Sequence, residues 1–258
     1  MKTRFILPLI LSAMCLTGCG EILPESNDDK GFLISLSNTS VDLVLSSKSS
    51  FENEKDQLLV DNIPLLGEDT FLNLPGSDQL DNENTDYQLG LVEDGSLHYL
   101  RYFKYTFFVK NKGPVTADYS LKVKITENIK EDDGYSLDSV IRVMLFNNNA
   151  SSSEHNYNVY AKKSDVAKQV DGQTTYQEYI SLSPEQAQER GVEFPGYAEE
   201  FINESTIATW QMTDVKQGDI NRYTIVYWFE GEDPDSFVMA PLKTKVRLGI
   251  EINATEMH

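Results

Sequence analysis

In the stretch DYSLKVKIT, Tyr119, Leu121, Val123 and Ile125 fall on one side of an extended chain, while Ser120, Lys122, Lys124 and Thr126 fall on the other. A strict period of two is what a half-buried strand requires, and a helix would scatter the same side chains around its axis. The stretch LKTKVRLGIEI repeats the pattern, with Leu242, Val246, Leu248, Ile250 and Ile252 inward and Lys243, Lys245, Arg247 and Glu251 outward. HYLRYFKYTFFVK differs. Tyr99, Phe103, Tyr105, Phe107 and Val109 form one face, yet Leu100, Tyr102 and Phe108 lie on the other, which predicts a strand with some cover on both sides.

Further strands are expected over 32–36, 41–45, 57–60, 140–146, 157–161, 207–212 and 223–229, separated by turn signals such as Asn111-Lys112-Gly113-Pro114. No alternation of strand and helix accompanies them. The pattern therefore predicts a mainly β fold, an antiparallel β-sandwich of jelly-roll-like form. One short helical insertion is expected around 183–204: Ser183 as N-cap, Pro184 at the first helical position, Gly191 as a stop, and a second turn in GYAEEFINE. With no internal repeat and no linker beyond residue 31, residues 31–258 read as a single domain.

The front of the chain carries a different message. Lys2 and Arg4 precede an uncharged apolar run over 5–16, which leads into Leu16-Thr17-Gly18-Cys19, the layout of a secretory signal with a small-residue cleavage site. A run this short falls below the roughly twenty residues a helix needs to cross a bilayer. Leu16-Thr17-Gly18-Cys19 resembles the lipobox of bacterial lipoproteins, whereas Cys15, preceded by Met14, does not fit it. The resemblance implies cleavage before Cys19 and a diacylglyceryl group on its sulfur. It predicts a lipoprotein signal peptide over 1–18, a flexible tether over 19–30, a place on the extracytoplasmic face of a bacterial cell membrane, and the lipid bilayer as a partner. The simpler alternative is an ordinary secretory signal with an incidental cysteine.

Charge and cysteine usage narrow the functions further. The formal net charge of −19 becomes more negative when Lys2 and Arg4 leave with the signal, and such a field repels phosphate backbones, so nucleic acid is excluded as an expected partner. With Cys15 removed and Cys19 acylated, no thiol is left for a disulfide, a zinc site or a nucleophile. The aromatic complement of 13 Tyr, 12 Phe and 2 Trp is ample for a packed core. The sequons at Asn38, Asn149, Asn203 and Asn253 are expected to be silent behind a bacterial-type signal.

Catalytic patterns are sparse. The chain has no G-x-S-x-G, G-x-x-x-x-G-K or H-E-x-x-H, and its imidazoles are His98, His155 and His258. Two acidic stretches stand out: DQLDNENTD with Asp78, Asp81, Glu83 and Asp86, and EGEDPD with Glu230, Glu232, Asp233 and Asp235. Oxygen ligands at that density suit Ca²⁺, the one cofactor the residues offer, although neither stretch has EF-hand spacing and a solvated loop is the simpler reading. Glu230 and Asp233 could serve a glycosidase only in a cleft, and Trp210 and Trp228 either stack a sugar or fill the core. The expectation is a non-enzymatic module for surface interaction, adhesion or matrix association. The alternatives are a ligand- or carbohydrate-binding lipoprotein and a calcium-dependent module.

Three stretches in order, YTFFVKNKG, VIRVMLF and IVYWFEGEDPD ahead of a long final strand, resemble secreted sandwich proteins of Gram-positive bacteria related to the TasA and camelysin biofilm-matrix family. The resemblance spans about 97–253. It implies a jelly-roll-like sandwich, an envelope or matrix protein as partner and, for some relatives, assembly into extracellular fibres. The lipobox departs from that family's usual signal and puts fibre assembly in question. No site residue carries over.

Overall fold

The structure, a computed structural model, describes residues 31–37, 41–60, 97–98, 102–130, 136–147, 157–165, 167–170, 172–178, 198–230 and 244–256. Strands dominate these residues: β1 Phe32–Ser37, β2 Leu43–Ser46, β3 Gln57–Val60, β4 Leu97–His98, β5 Tyr102–Asn111, β6 Ala117–Ile129 and β7 Ile141–Asn147. They continue as β8 Tyr157–Ala161, β9 Lys168–Val170, β10 Gln173–Thr175, β11 Glu199–Glu200, β12 Thr206–Val215, β13 Ile220–Phe229 and β14 Lys245–Glu256. One 3₁₀ turn, Leu137–Ser139, is the helical element among the described residues.

Two sheets form a β-sandwich. The five-stranded sheet runs β12-β6-β14-β1-β3, and the seven-stranded sheet runs β11-β8-β7-β13-β5-β2 with β4 added on β5. A small hairpin, β9 with β10, stands apart. Within β6 the inward set Tyr119, Leu121, Val123 and Ile125 is buried and its outward neighbours are not, so the alternation in the sequence decides which face meets the core. Across the core, Phe32 packs on Phe103 and Tyr105 with ring centroids 5.5 and 6.0 Å apart, and the Tyr119 and Tyr223 hydroxyls meet at 2.7 Å.

Both sheets are mixed, where antiparallel sheets were expected. β1 lies parallel to β14 with Leu33 opposite Gly249 and Ile34 opposite Ile250, and β11 lies parallel to β8. The first seam depends on a glycine: a Cβ at Gly249 would sit 2.9 Å from the Leu33 carbonyl oxygen and 3.1 Å from Thr126 Cγ2. Local alternation specifies strands and their faces, but the choice between neighbours is made by packing that sequence periodicity does not record.

The two-sided pattern read in β5 is met by the structure. Phe103, Phe107 and Val109 face the sandwich core, while Lys104 and Thr106 on the reverse face are buried as well. That reverse face continues through Arg142, Met144 and Phe146 on β7 and Thr224, Val226 and Trp228 on β13, all buried. Part of its cover is Phe51, whose ring meets Phe108 edge-on at 6.3 Å from a backbone held at φ 51°.

The helical insertion expected around 183–204 needs correction over its described part. Residues 198–204 are extended and then turn: Glu199 and Glu200 pair with Tyr160 and Ala161, and Asn203 closes a tight bend. Asn203 Oδ1 accepts from the backbone N–H groups of Ser205 and Thr206 and from the Ser205 hydroxyl. An asparagine that offers such a local acceptor competes with helical hydrogen bonding, which is why the turn wins here. Residues 183–197 lie outside the described residues.

Candidate functional site

The end of β6 meets the 3₁₀ turn that leads into β7 at one end of the sandwich. At that end a chain of polar side chains collects. Asp138, buried in the 3₁₀ turn, accepts from Lys162 Nζ at 3.2 and 3.0 Å on its two oxygens, and from Asn128 Nδ2 at 2.9 Å. The Asn128 carbonyl in turn accepts from the Ser136 hydroxyl at 2.6 Å. Asn128 belongs to the five-stranded sheet, whereas Lys162 directly follows β8 of the other sheet.

Beside this chain, on the reverse face of the seven-stranded sheet, Arg142 Nη2 and Glu178 Oε2 form an ion pair at 3.1 Å with both side chains buried. Arg142 sits opposite Trp228 across the β7–β13 pairing, and the Trp228 indole N–H donates to Glu230 at 3.2 Å. The Glu230 backbone N–H donates to the Val140 carbonyl at 2.8 Å, which ties the end of β13 to the start of β7. Desolvating two charges costs several kcal/mol per ion before their attraction is counted, so a buried pair fixes geometry more than it adds stability.

The expected tryptophans do not form one platform. Trp228 is buried on the reverse face of the seven-stranded sheet, while Trp210 on β12 points between the sheets, partly buried, and donates to the Tyr160 hydroxyl at 2.7 Å. Burial raises the Tyr160 phenol above its ordinary range, opposed by the hydrogen bonds from Trp210 and Asn158. Of the acidic candidates, Glu230 is described and buried. Asp78, Asp81, Glu83, Asp86, Glu232, Asp233 and Asp235 lie outside the described residues, as do Cys19, His155 and His258. Among the described residues no three His, Cys, Asp or Glu side chains gather as metal ligands, and no helix is long and apolar enough to cross a membrane.

Sequence reasoning passed over Asn128, Ser136, Asp138, Lys162, Arg142 and Glu178. One signal was available for Arg142, a lone charge inside the apolar run VIRVMLF. The exposed surface has its own feature at the β11 edge. Ile202 is 58% exposed and Tyr176 43%, and Lys163 reaches from the Tyr176 ring, with Nζ 5.8 Å from its centre, to Glu200 at 3.7 Å.

The fold defines the class as a β-sandwich, an architecture shared by many unrelated functions. No protein-family model matches the chain, and no curated protein matches it.

Proposed function

We propose that this chain is a membrane-anchored extracytoplasmic lipoprotein whose β-sandwich serves surface interaction, adhesion or matrix association rather than catalysis. The observation that carries the reading is how the first described strand is held. β1 begins at Phe32, next to the expected tether, and is paired on both sides, parallel to β14 and antiparallel to β3, one strand in from the edge of the five-stranded sheet. A lipid on Cys19 would thus pull on an ordered strand through a leash of about a dozen residues. That leash spans at most about 40 Å when taut and about 20 Å as a flexible coil. Two acyl chains, at about 0.8 kcal/mol per buried methylene, suffice to hold such a domain on a bilayer.

An envelope or matrix protein is the partner this reading assigns, with the exposed Tyr176 and Ile202 as the first surface to probe. A sandwich also agrees with the fold implied by the resemblance to the TasA and camelysin family.

The test is fractionation of cells expressing the full chain. Cys19→Ala is expected to move the protein from the membrane fraction to the soluble one, and retention of the variant on the membrane overturns the anchor. Crosslinking of the anchored protein to envelope proteins, compared with an Ile202→Asp and Tyr176→Ser double variant, tests the interaction surface. Unchanged capture by the variant refutes that placement.

A further inference from the structure

We propose that Lys162 and Asn128 join through an intramolecular amide bond, made autocatalytically by Asp138 and Ser136 with release of ammonia. The grounds are the arrangement of four atoms. Asp138 Oδ2 is shared between Lys162 Nζ at 3.0 Å and Asn128 Nδ2 at 2.9 Å, so one carboxylate oxygen touches both the nucleophile and the leaving group of an amide exchange. On the other side of the amide, the Ser136 hydroxyl donates to Asn128 Oδ1 at 2.6 Å, where negative charge develops when the carbonyl carbon is attacked. A shared oxygen puts the two nitrogens within about 6 Å of each other, so side-chain rotation alone can bring Nζ to the ~3–3.5 Å of a near-attack contact with Cγ.

The step balances. The Lys162 ammonium gives a proton to Asp138, and its lone pair forms a bond to Asn128 Cγ while the carbonyl electrons move onto Oδ1 under the Ser136 hydroxyl. The tetrahedral centre then collapses: Asp138 passes its proton to Nδ2, the Cγ–Nδ2 bond breaks to release ammonia, and Asp138, again a carboxylate, takes the second Nζ proton and hands it to the ammonia, which leaves as ammonium. An ammonium and a primary amide become a secondary amide and an ammonium ion, with no oxidant or reductant.

The surroundings favour the exchange. Asp138 is buried, and the Lys162 side chain is 28% exposed, so the lysine is part-desolvated while ammonia has a way out. The bond would run from the end of β6 to the residue after β8, stitching the five-stranded sheet to the seven-stranded one. The alternative source of the same geometry, a static hydrogen-bonded cluster, is distinguished by mass.

The experiment is tryptic mass mapping of the full-length protein purified from cells. The expected result is a branched peptide containing both Asn128 and Lys162, lighter by ~17 Da than its two linear parts together. In Lys162→Arg it should disappear, and in Asp138→Asn it should form about a hundredfold more slowly, as loss of a positioned proton carrier dictates. Full-mass linear peptides around both residues, recovered from wild-type protein held for days, would overturn the proposal. So would a ~17 Da loss on the Asn128 peptide that persists in Lys162→Arg, since that is the mark of a succinimide. The wild-type map needs no variant, so misfolding of a variant does not blunt the test.

Discussion

Replacing Tyr223 by Phe should flatten the alkaline limb of the protein's stability curve by about one proton. Tyr119, Tyr223 and Tyr227 are all buried between the sheets, and burial is the largest cause of the raised pKa of each. Tyr119 is pushed up to about 12, its burial only partly offset by hydrogen bonds with Tyr223 and Asn221, and the other two are raised as well. In the unfolded chain these phenols ionise near 10. Between pH 10 and the higher folded values the unfolded state releases protons that the folded state keeps, so stability is full below pH 10 and falls as pH rises. Each such tyrosine contributes a slope of about 1.4 kcal/mol per pH unit, and three of them about 4 kcal/mol per pH unit.

Tyr223→Phe deletes one of the three. The variant should lose about 1–3 kcal/mol at pH 7, because the Tyr119–Tyr223 hydroxyl contact at 2.7 Å is gone. Above pH 10 it should then decline about 1.4 kcal/mol per pH unit less steeply than wild type. Tyr119 should stay raised in the variant, since its own burial and not the Tyr223 contact drives its shift. The assay is urea unfolding at half-unit steps from pH 7 to pH 11.5 with a common m-value. Parallel wild-type and Tyr223→Phe curves above pH 10 would refute the reasoning.

Other outcomes follow from packing. Gly249→Ala should cost about 1–3 kcal/mol, because its Cβ must displace the Leu33 carbonyl or Thr126 across the β1–β14 seam; an unchanged urea midpoint would remove that seam from the account. Arg142→Met should destabilise by about 3–5 kcal/mol by leaving Glu178 in a buried site with its ion-pair partner removed. Adding Glu178→Met should restore most of that loss, and additive losses in the double variant would show that the pair is not coupled.

How much of this was legible in the sequence depends on the range of the physics. Alternation is a local property, so the inward residues of β6 and, in β14, Leu248, Ile250 and Ile252 could be read one by one, with Leu242 and Lys243 outside the described residues, and the two-sided pattern ending at Phe108 predicted partial cover on both faces of β5. The strand-sized signals at 57–60 and 157–161 became β3 and β8 with the expected bounds. The two-residue β11 and the β9–β10 hairpin carry too few side chains for any period to show. Pairing is non-local: nothing around Leu33 and Ile34 says that they will lie beside Gly249 and Ile250. The polar cluster was hidden for the same reason. Asn128 follows the outward face of β6, Asp138 sits in a turn and Lys162 at a strand end, so each looks like ordinary surface until three segments converge. Arg142 differs, since a charge inside a continuous apolar run demands a buried partner, and Glu178 is that partner.

The parallel seam between β1 and β14 sets a schedule for folding. β1 is the first of the described strands to leave a ribosome or a secretion channel, yet one of its two neighbours, β14, is the last of them to emerge. Until Gly249 and Ile250 arrive, Phe32 and Ile34 can pair only with the short β3, leaving one edge of β1 bare. Closing a loop that long is entropically slow, and a bare apolar edge invites other chains to bind it in the meantime. Maturation of this sandwich is therefore gated by the arrival of β14. Truncations that remove β14 should aggregate through β1 and not persist as a smaller sandwich.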